Sequence, residues 1–249
     1  MVNITINGKP MQAEEGTTIL SAASAAKMPV PSLCYLKDIN EIGACRVCVV
    51  EIKGVSRLVT ACNNVVQEGM EILTNSPRVR EARRTNVELI LSQHNSSCTS
   101  CVRGGNCSLQ RIANDLGIYA SEYKKDIPKR QWPIEFPLIR DASRCIKCMR
   151  CVQICDKVQD LHIWDIVKTG SRATVGVTHN LQITQSDCAI CGQCLTHCPT
   201  GALRERDDTL QLLSMQGAFA DPDKVTIVQV APAVRSAWAE ELGLDREEA

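Results

Sequence analysis

Aromatic residues are scarce in this sequence, with two Phe, three Tyr and three Trp among 249 residues. A core short of large rings has to draw cohesion from elsewhere. A net charge is lacking too. The 28 basic residues are matched by 28 acidic ones, which leaves no electrostatic footprint for nucleic acid or an anionic membrane surface. No run approaches the ~18 apolar residues of a membrane-spanning helix. The opening MVNITINGKP has no basic segment leading into an apolar one, so it is not read as a secretory signal. The expectation is a cytoplasmic protein without nucleic-acid or membrane partners, in a compartment where thiols stay reduced. What the chain does have is cysteine, fifteen of them. An odd number in a reducing compartment argues against a disulfide framework and for metal ligation.

The length allows one to three domains. VNITI, Asn7-Gly8 and KPMQA predict a β-hairpin with a type I′ turn. Thr17 or Thr18 can cap a short helix over ILSAASAAK. VCVVEIKGVSRLVTAC reads as two strands around Gly54, and MEILT (70–74) as another. Together these suggest a small β-grasp domain over 1–75. Ser76-Pro77 opens a helix whose Val79, Ala82, Val87, Ile90 and Leu91 can face a core. A second helix runs from Ser108 to a stop at Gly117. Residues 76–117 therefore form a helical segment, and 118–137, with Pro128, Pro133 and Pro137, reads as an extended linker. Residues 138–210 hold an internal repeat, and 211–249 a strand-like KVTIVQVAP followed by a helix stopping at Gly243. The basic runs at 78–84 and 124–130 read as solvated faces, with Arg78, Arg80, Arg83 and Lys124 as candidate docking residues.

The repeat carries the strongest signal. CIKCMRCVQIC (145–155) recurs as CAICGQCLTHC (188–198), offset by 43 positions. In two-cluster ferredoxins with C-x2-C-x2-C-x3-C runs, the fourth cysteine of each run serves the other cluster. The expected sets are Cys145, Cys148, Cys151 with Cys198, and Cys188, Cys191, Cys194 with Cys155. Zinc usually takes two C-x2-C pairs, and a third cysteine two residues later has no place in a tetrahedral site. Upstream, Cys34, Cys45, Cys48 and Cys62 keep the C-x2-C and distant fourth cysteine of plant-type [2Fe–2S] sites, but with a longer first gap. Zinc or plain core cysteines stay open there. His94, Cys98, Cys101 and Cys107 suit zinc and a [4Fe–4S] cluster equally on local spacing. Counting favours the cluster: two ferredoxin-type sets and the N-terminal set use twelve cysteines, and His94 completes the remaining three. His162, His179 and His197 have no unclaimed cysteines beside them and read as ordinary polar or core residues.

In this order the motifs resemble the N-terminal half of multi-cluster [FeFe]-hydrogenase subunits, and in part the large iron–sulfur subunit of respiratory complex I. The resemblance implies a modular α+β fold. It comprises a β-grasp [2Fe–2S] domain, a [4Fe–4S] segment with one His and three Cys ligands, a two-cluster ferredoxin-like domain and a short C-terminal βα extension. DPDKVTIVQVAPAVRSAWAEELG (221–243) looks like the opening of the hydrogenase active-site domain, yet no cysteine is left over for an H-cluster. By this resemblance the chain is a non-catalytic electron-transfer subunit of a soluble oxidoreductase, of the kind found in flavin-based electron-bifurcating complexes. Flavin and NAD(P) would sit on a partner subunit, with a small thioredoxin-like [2Fe–2S] subunit and ferredoxin as further partners. A fragment of a hydrogenase catalytic subunit and a zinc-bearing scaffold are the rival readings. An intact mass or gene length extending far past Ala249 would mark the fragment, and metal analysis marks the scaffold: one [2Fe–2S] and three [4Fe–4S] clusters predict about 14 iron atoms per chain, whereas a scaffold would be colourless with about four zinc ions.

Overall fold

The computed structural model describes residues 1–245 except 121, 128, 214–220, 224, 226 and 228. Residues 1–206 form one compact unit and 207–249 a second. The first begins with the expected hairpin, β1 (Val2–Ile6) and β2 (Lys9–Ala13), in register from Val2↔Ala13 to Ile6↔Lys9. Asn7 and Gly8 both take positive φ, as a type I′ turn requires. Strands β3 (Val49–Ile52), β4 (Val59–Thr60) and β5 (Glu71–Leu73) complete a five-stranded sheet of order β2-β1-β5-β3-β4. The β1–β5 pair is parallel. Helix α1 (Ile19–Ala25), capped by Thr18, buries Ile19, Leu20, Ala22 and Ala23 in a core shared with Ile4, Ile6, Val50 and Ile72.

Helix α2 (Pro77–Ser92) starts at the Ser76 cap, whose hydroxyl accepts from the Val79 amide at 3.3 Å. Val79 and Val87 are buried, but Ala82, Ile90 and Leu91 are only half-buried. Arg83 corrects the sequence reading. It is buried rather than available for docking, and its guanidinium donates to Val47 O (3.0 Å), Val49 O (3.1 Å) and Thr74 O (3.2 Å). One arginine thereby ties α2 to β3 and to the end of β5. Helix α3 (Ser108–Asp115) follows and ends before Gly117 in the left-handed conformation. Leu109, Ile112 and Ala113 of α3 share a central core with Val87, Cys34, Cys45, Ile146 and Cys148. That core joins all three cysteine-bearing segments.

The described residues of 118–137 form no helix or strand, yet the segment is anchored. Trp132 stacks on Trp164 at 5.9 Å and its indole donates to Leu138 O at 2.7 Å. In the repeat, β6 (Leu138–Arg140) pairs with β9 (Leu203–Glu205), closing the two ends together. Helices α4 (Arg150–Lys157) and α5 (Gln193–Thr196) follow the two cysteine loops. A hairpin of β7 (Trp164–Val167) and β8 (Thr174–Val177), not anticipated from the sequence, lies between the halves. In the second unit, α6 (Thr209–Leu213) precedes α7 (Pro232–Leu242), which stops at Gly243 as expected. The predicted strand at KVTIVQVAP is not formed by its described residues Val225, Ile227, Gln229, Val230 and Ala231. Lys224, Thr226 and Val228 lie outside the described residues. Alternating apolar positions favour a strand only where a neighbouring strand offers hydrogen bonds. Among the described residues, no helix is long and apolar enough to cross a membrane.

Replacing Arg83 with Met should leave three buried carbonyls without their donor. Loss of about 3 kcal/mol is expected, read as a lower melting temperature with the same far-UV spectrum below the transition.

Candidate metal centres

Cys34, Cys45, Cys48 and Cys62 are all buried. Cys34 neighbours Cys45 and Cys62, and Cys48 neighbours Cys62. Thiols of Cys45 and Cys62 donate to Cys34 and hold it down to about 2, and Cys62 holds Cys48 down to about 7. The two donors are pushed up in consequence.

The repeat builds its two loops alike. Lys147 and Met149 in the first, and Ile190 and Gly192 in the second, take positive φ at positions related by the same offset of 43. For β-branched Ile190 this conformation is costly, so the loop shape outweighs the side chain's preference. Left-handed residues on either side of the second cysteine bend each run so that its sulfurs converge. One cavity is lined by Cys145, Cys148, Cys151 and Cys198, and another by Cys155, Cys188, Cys191 and Cys194. Each takes three cysteines from one run and one from the other. Helix α4 carries Cys151 to one cavity and Cys155 to the other. Trp164 lines both. Burial pushes the thiols of Cys148 and Cys194 up to about 12 and raises Cys145 and Cys151 as well. Such thiols lose their protons to a cation rather than to water.

The third set is gathered in part. His94, Cys98 and Cys107 line one cavity with Leu91, Leu109 and Ile118. The sulfur of Cys101 instead lies against Gly201, where an added Cβ would stand 2.7 Å from it. His94 is 6% exposed and its Nδ1 is buried without a hydrogen-bond partner among the described residues. Burial, and then the nearby Arg144 guanidinium, hold the imidazole below its ordinary value, against a smaller pull from the Arg144 backbone. A neutral ring with an unspent polar atom is a competent metal donor. Thiol sets with one such imidazole suit both iron–sulfur clusters and zinc. Among the described residues, no three His, Cys, Asp or Glu side chains gather at single-ion distances.

Polar contacts that sequence reasoning missed join the groups. Fully buried Asn40 donates through Nδ2 to Cys34 O at 2.7 Å and to Cys148 O at 2.9 Å. Arg150 donates to Cys34 O and Tyr35 O, and Lys157 to Ile39 O. On the other side Arg103 donates to Cys198 O, Arg144 to Ser97 O, and the Asn95 amide to Ser143 O. An Asn in a loop reads as a turn residue, so nothing local marks Asn40. His162 sits on the surface between Asp156 and Asp160. His197 bonds Gln193 O. Neither they nor His179 line these cysteine cavities.

Three families match along the chain. They are a 2Fe-2S iron-sulfur cluster binding domain over 1–77, the NADH-ubiquinone oxidoreductase-G iron-sulfur binding region over 83–122, and a 4Fe-4S dicluster domain over 144–202. The NADP-reducing hydrogenase subunit HndD of Solidesulfovibrio fructosivorans is 41% identical over 250 residues, covering 98% of this chain and 42% of the relative. The NADPH-Fe(3+) oxidoreductase subunit alpha of Geobacter sulfurreducens is 37% identical over 204 residues, covering 82% of this chain and 24% of the relative. The chain thus spans less than half the length of these curated relatives. The NAD-reducing hydrogenase HoxS subunit gamma of Cupriavidus necator is 30% identical, with 82% of this chain and 87% of the relative covered. A crystallised NAD+-reducing [NiFe]-hydrogenase chain aligns at TM-score 0.76 and 26% identity over 90% of this chain and 97% of its own length.

Asn40→Leu should leave the Cys148 carbonyl buried without the Asn40 donor, at about 1–3 kcal/mol, while the Cys34 carbonyl keeps Arg150. Faster cluster bleaching under air than in the unaltered protein is the expected result, with absorbance at 420 nm as the readout.

Proposed function

The chain belongs to the iron–sulfur proteins that include the gamma chain of NAD-reducing hydrogenase and carry the NADH-ubiquinone oxidoreductase-G iron-sulfur binding region, and on that premise we propose that it relays single electrons between a flavin-bearing, NAD(P)-binding partner and a second redox protein. Clusters supply the one-electron chemistry when bound. Cys34, Cys45, Cys48 and Cys62 hold a [2Fe–2S] cluster, and three [4Fe–4S] clusters take the remaining ligands. Their sets are His94, Cys98, Cys101, Cys107; Cys145, Cys148, Cys151, Cys198; and Cys155, Cys188, Cys191, Cys194.

The observation that carries this reading is the pair of repeat cavities, each lined by three cysteines of one run and the fourth of the other. That crossing is what two-cluster ferredoxins require. The apolar walls from Ile146, Met149, Val175 and Leu203 keep water from the sulfurs. At the third site the protein holds His94 neutral by burial, so its lone pair is free for iron. Cys101 completes that set by turning from Gly201 toward the cavity. One neutral ligand in place of a thiolate removes negative charge, and in Rieske centres that substitution raises the potential.

The relatives are subunits of hydrogenases and NAD(P)-linked oxidoreductases by name. We assign this chain to a multi-subunit complex of that type, with a flavoprotein, a small thioredoxin-like [2Fe–2S] subunit and ferredoxin as partners, and electron bifurcation as its coupling. Arg78, Arg80 and Lys124, which the structure leaves exposed, are candidates for docking. The anaerobically loaded chain should be inert to NADH alone and bleach once the co-purified flavoprotein is added. Persistent colour with that partner and NAD(P)H present, or zinc in place of iron, would sink the proposal. His94→Cys should lower the midpoint of one cluster alone in an EPR-monitored titration.

A further inference from the structure

The ferredoxin-like repeat is symmetric in its cysteines but not in its charges. The offset of 43 that carries Cys145 to Cys188 also carries Arg140 to Ile183 and Arg144 to Asp187. Ile183 is buried, as an apolar residue inside a small domain should be. Arg140 is buried almost as deeply, 5% exposed. Its guanidinium donates to Val175 O and, at 3.4 Å, to Thr174 Oγ1. Among the described residues it forms no ion pair. A buried charge facing only neutral groups is strongly unfavourable, and folds provide it with a counter-charge. Glu135, which lines an open cavity with Arg130 and Arg140, is exposed to solvent, and the buried groups beside Arg140 that can supply one are sulfurs. Arg140 lines the cavity with Cys145, Cys148, Cys151 and Cys198.

We propose that Arg140 is a built-in counter-charge for the cluster held by Cys145, Cys148, Cys151 and Cys198, and that it raises the reduction potential of that cluster. The inference rests on the ligand set proposed above. One-electron reduction adds a negative charge to an already anionic unit. A fixed positive charge in a low-dielectric interior therefore favours the reduced form, and an N–H donor to sulfur acts in the same direction. The second cavity is lined by no arginine or lysine among the described residues; Ile183, the counterpart of Arg140 in the sequence offset, does not line it, and Asp187 precedes Cys188. Solvent at exposed Cys191 acts on that second site separately, so the claim concerns the contribution of Arg140 and not the order of the two potentials. Arg140 serves the site to which both other segments are stitched, through Asn40 to Cys148 O and through Arg103 to Cys198 O. A raised potential there lets one centre collect electrons arriving from either side.

The test is an EPR-monitored redox titration of the full chain, loaded with iron anaerobically, in the Arg140→Gln and Arg140→Lys variants. The signal is assigned by its loss in Cys148→Ala. In the Gln variant the oxidised-to-reduced ratio at the original midpoint should rise about tenfold, equivalent to about 59 mV downward for a one-electron couple. The Lys variant should keep most of the original midpoint, and the other three clusters should not move. An iron-replete Gln variant with an unchanged midpoint overturns the proposal, as does a Lys variant that shifts as far as Gln. Should the Gln variant fail to load, the unaltered protein labelled with 15N-arginine answers the question. A nitrogen coupling on that signal, absent in Arg140→Lys, supports the contact, and its absence in the unaltered protein overturns it. A chain that takes up no iron at all fails the ligand assignment itself, which is a different outcome from a loaded chain with an unmoved potential.

Discussion

Each cysteine cavity of the repeat is closed by a residue from the other half. Cys198 reaches the cavity of the first run, and Cys155 the cavity of the second. Each cavity thus ties the two halves of the repeat to one another. The β6–β9 pair draws the ends of the repeat together, and α4 spans the gap with Cys151 and Cys155 one turn apart on its length. Trp164 fills the space between the cavities, with Trp132 stacked behind it. Two of three tryptophans in a ring-poor sequence are therefore spent at this one place. Burial disfavours the thiolates of Cys145, Cys148, Cys151, Cys155 and Cys194 until a metal group compensates, which couples loading to folding.

The same economy governs the interior charges. Net charge is zero, and basic residues are not confined to the surface. Arg83 ties α2 to the first sheet through three carbonyls. Arg144 joins the His94 segment to the repeat and pairs with Asp141 at 3.2 Å. Arg140 points into a sulfur-lined cavity. Guanidinium groups suit these places because their fixed fork of donors serves several acceptors at once. Asn40 does likewise with an uncharged amide, bridging the backbones of two cysteine loops more than a hundred residues apart. The cysteine groups are thus held at fixed separations, a requirement for any chain that passes electrons through its interior.

What could be read from sequence was local. Asn7-Gly8, Ser76-Pro77, Gly117 and Gly243 each announce a turn, a start or a stop through backbone preferences that act within a few residues. Cysteine spacing is likewise a short-range signal, and the repeat was visible as an offset in the text of the chain. The β7–β8 hairpin was missed because its strands lack a marked turn dipeptide and depend on packing against Trp132 and α4. The strand expected at 224–232 failed among its described residues because hydrophobic alternation names a preference, and pairing needs a partner edge.

By itself, then, the sequence determined the order of the helices and strands in residues 1–117, the caps, the repeat and the number of sulfur donors, since these follow from neighbours along the chain. The tertiary structure alone decided that Cys101 lies against Gly201, and that Arg83 is a strut and not a surface charge. It also decided that Arg140 is buried and that Asn40 bridges two loops. Burial and hydrogen bonding of a polar group depend on residues far away in sequence, so the same arginine reads identically on a solvated face and in a core until the chain is folded around it.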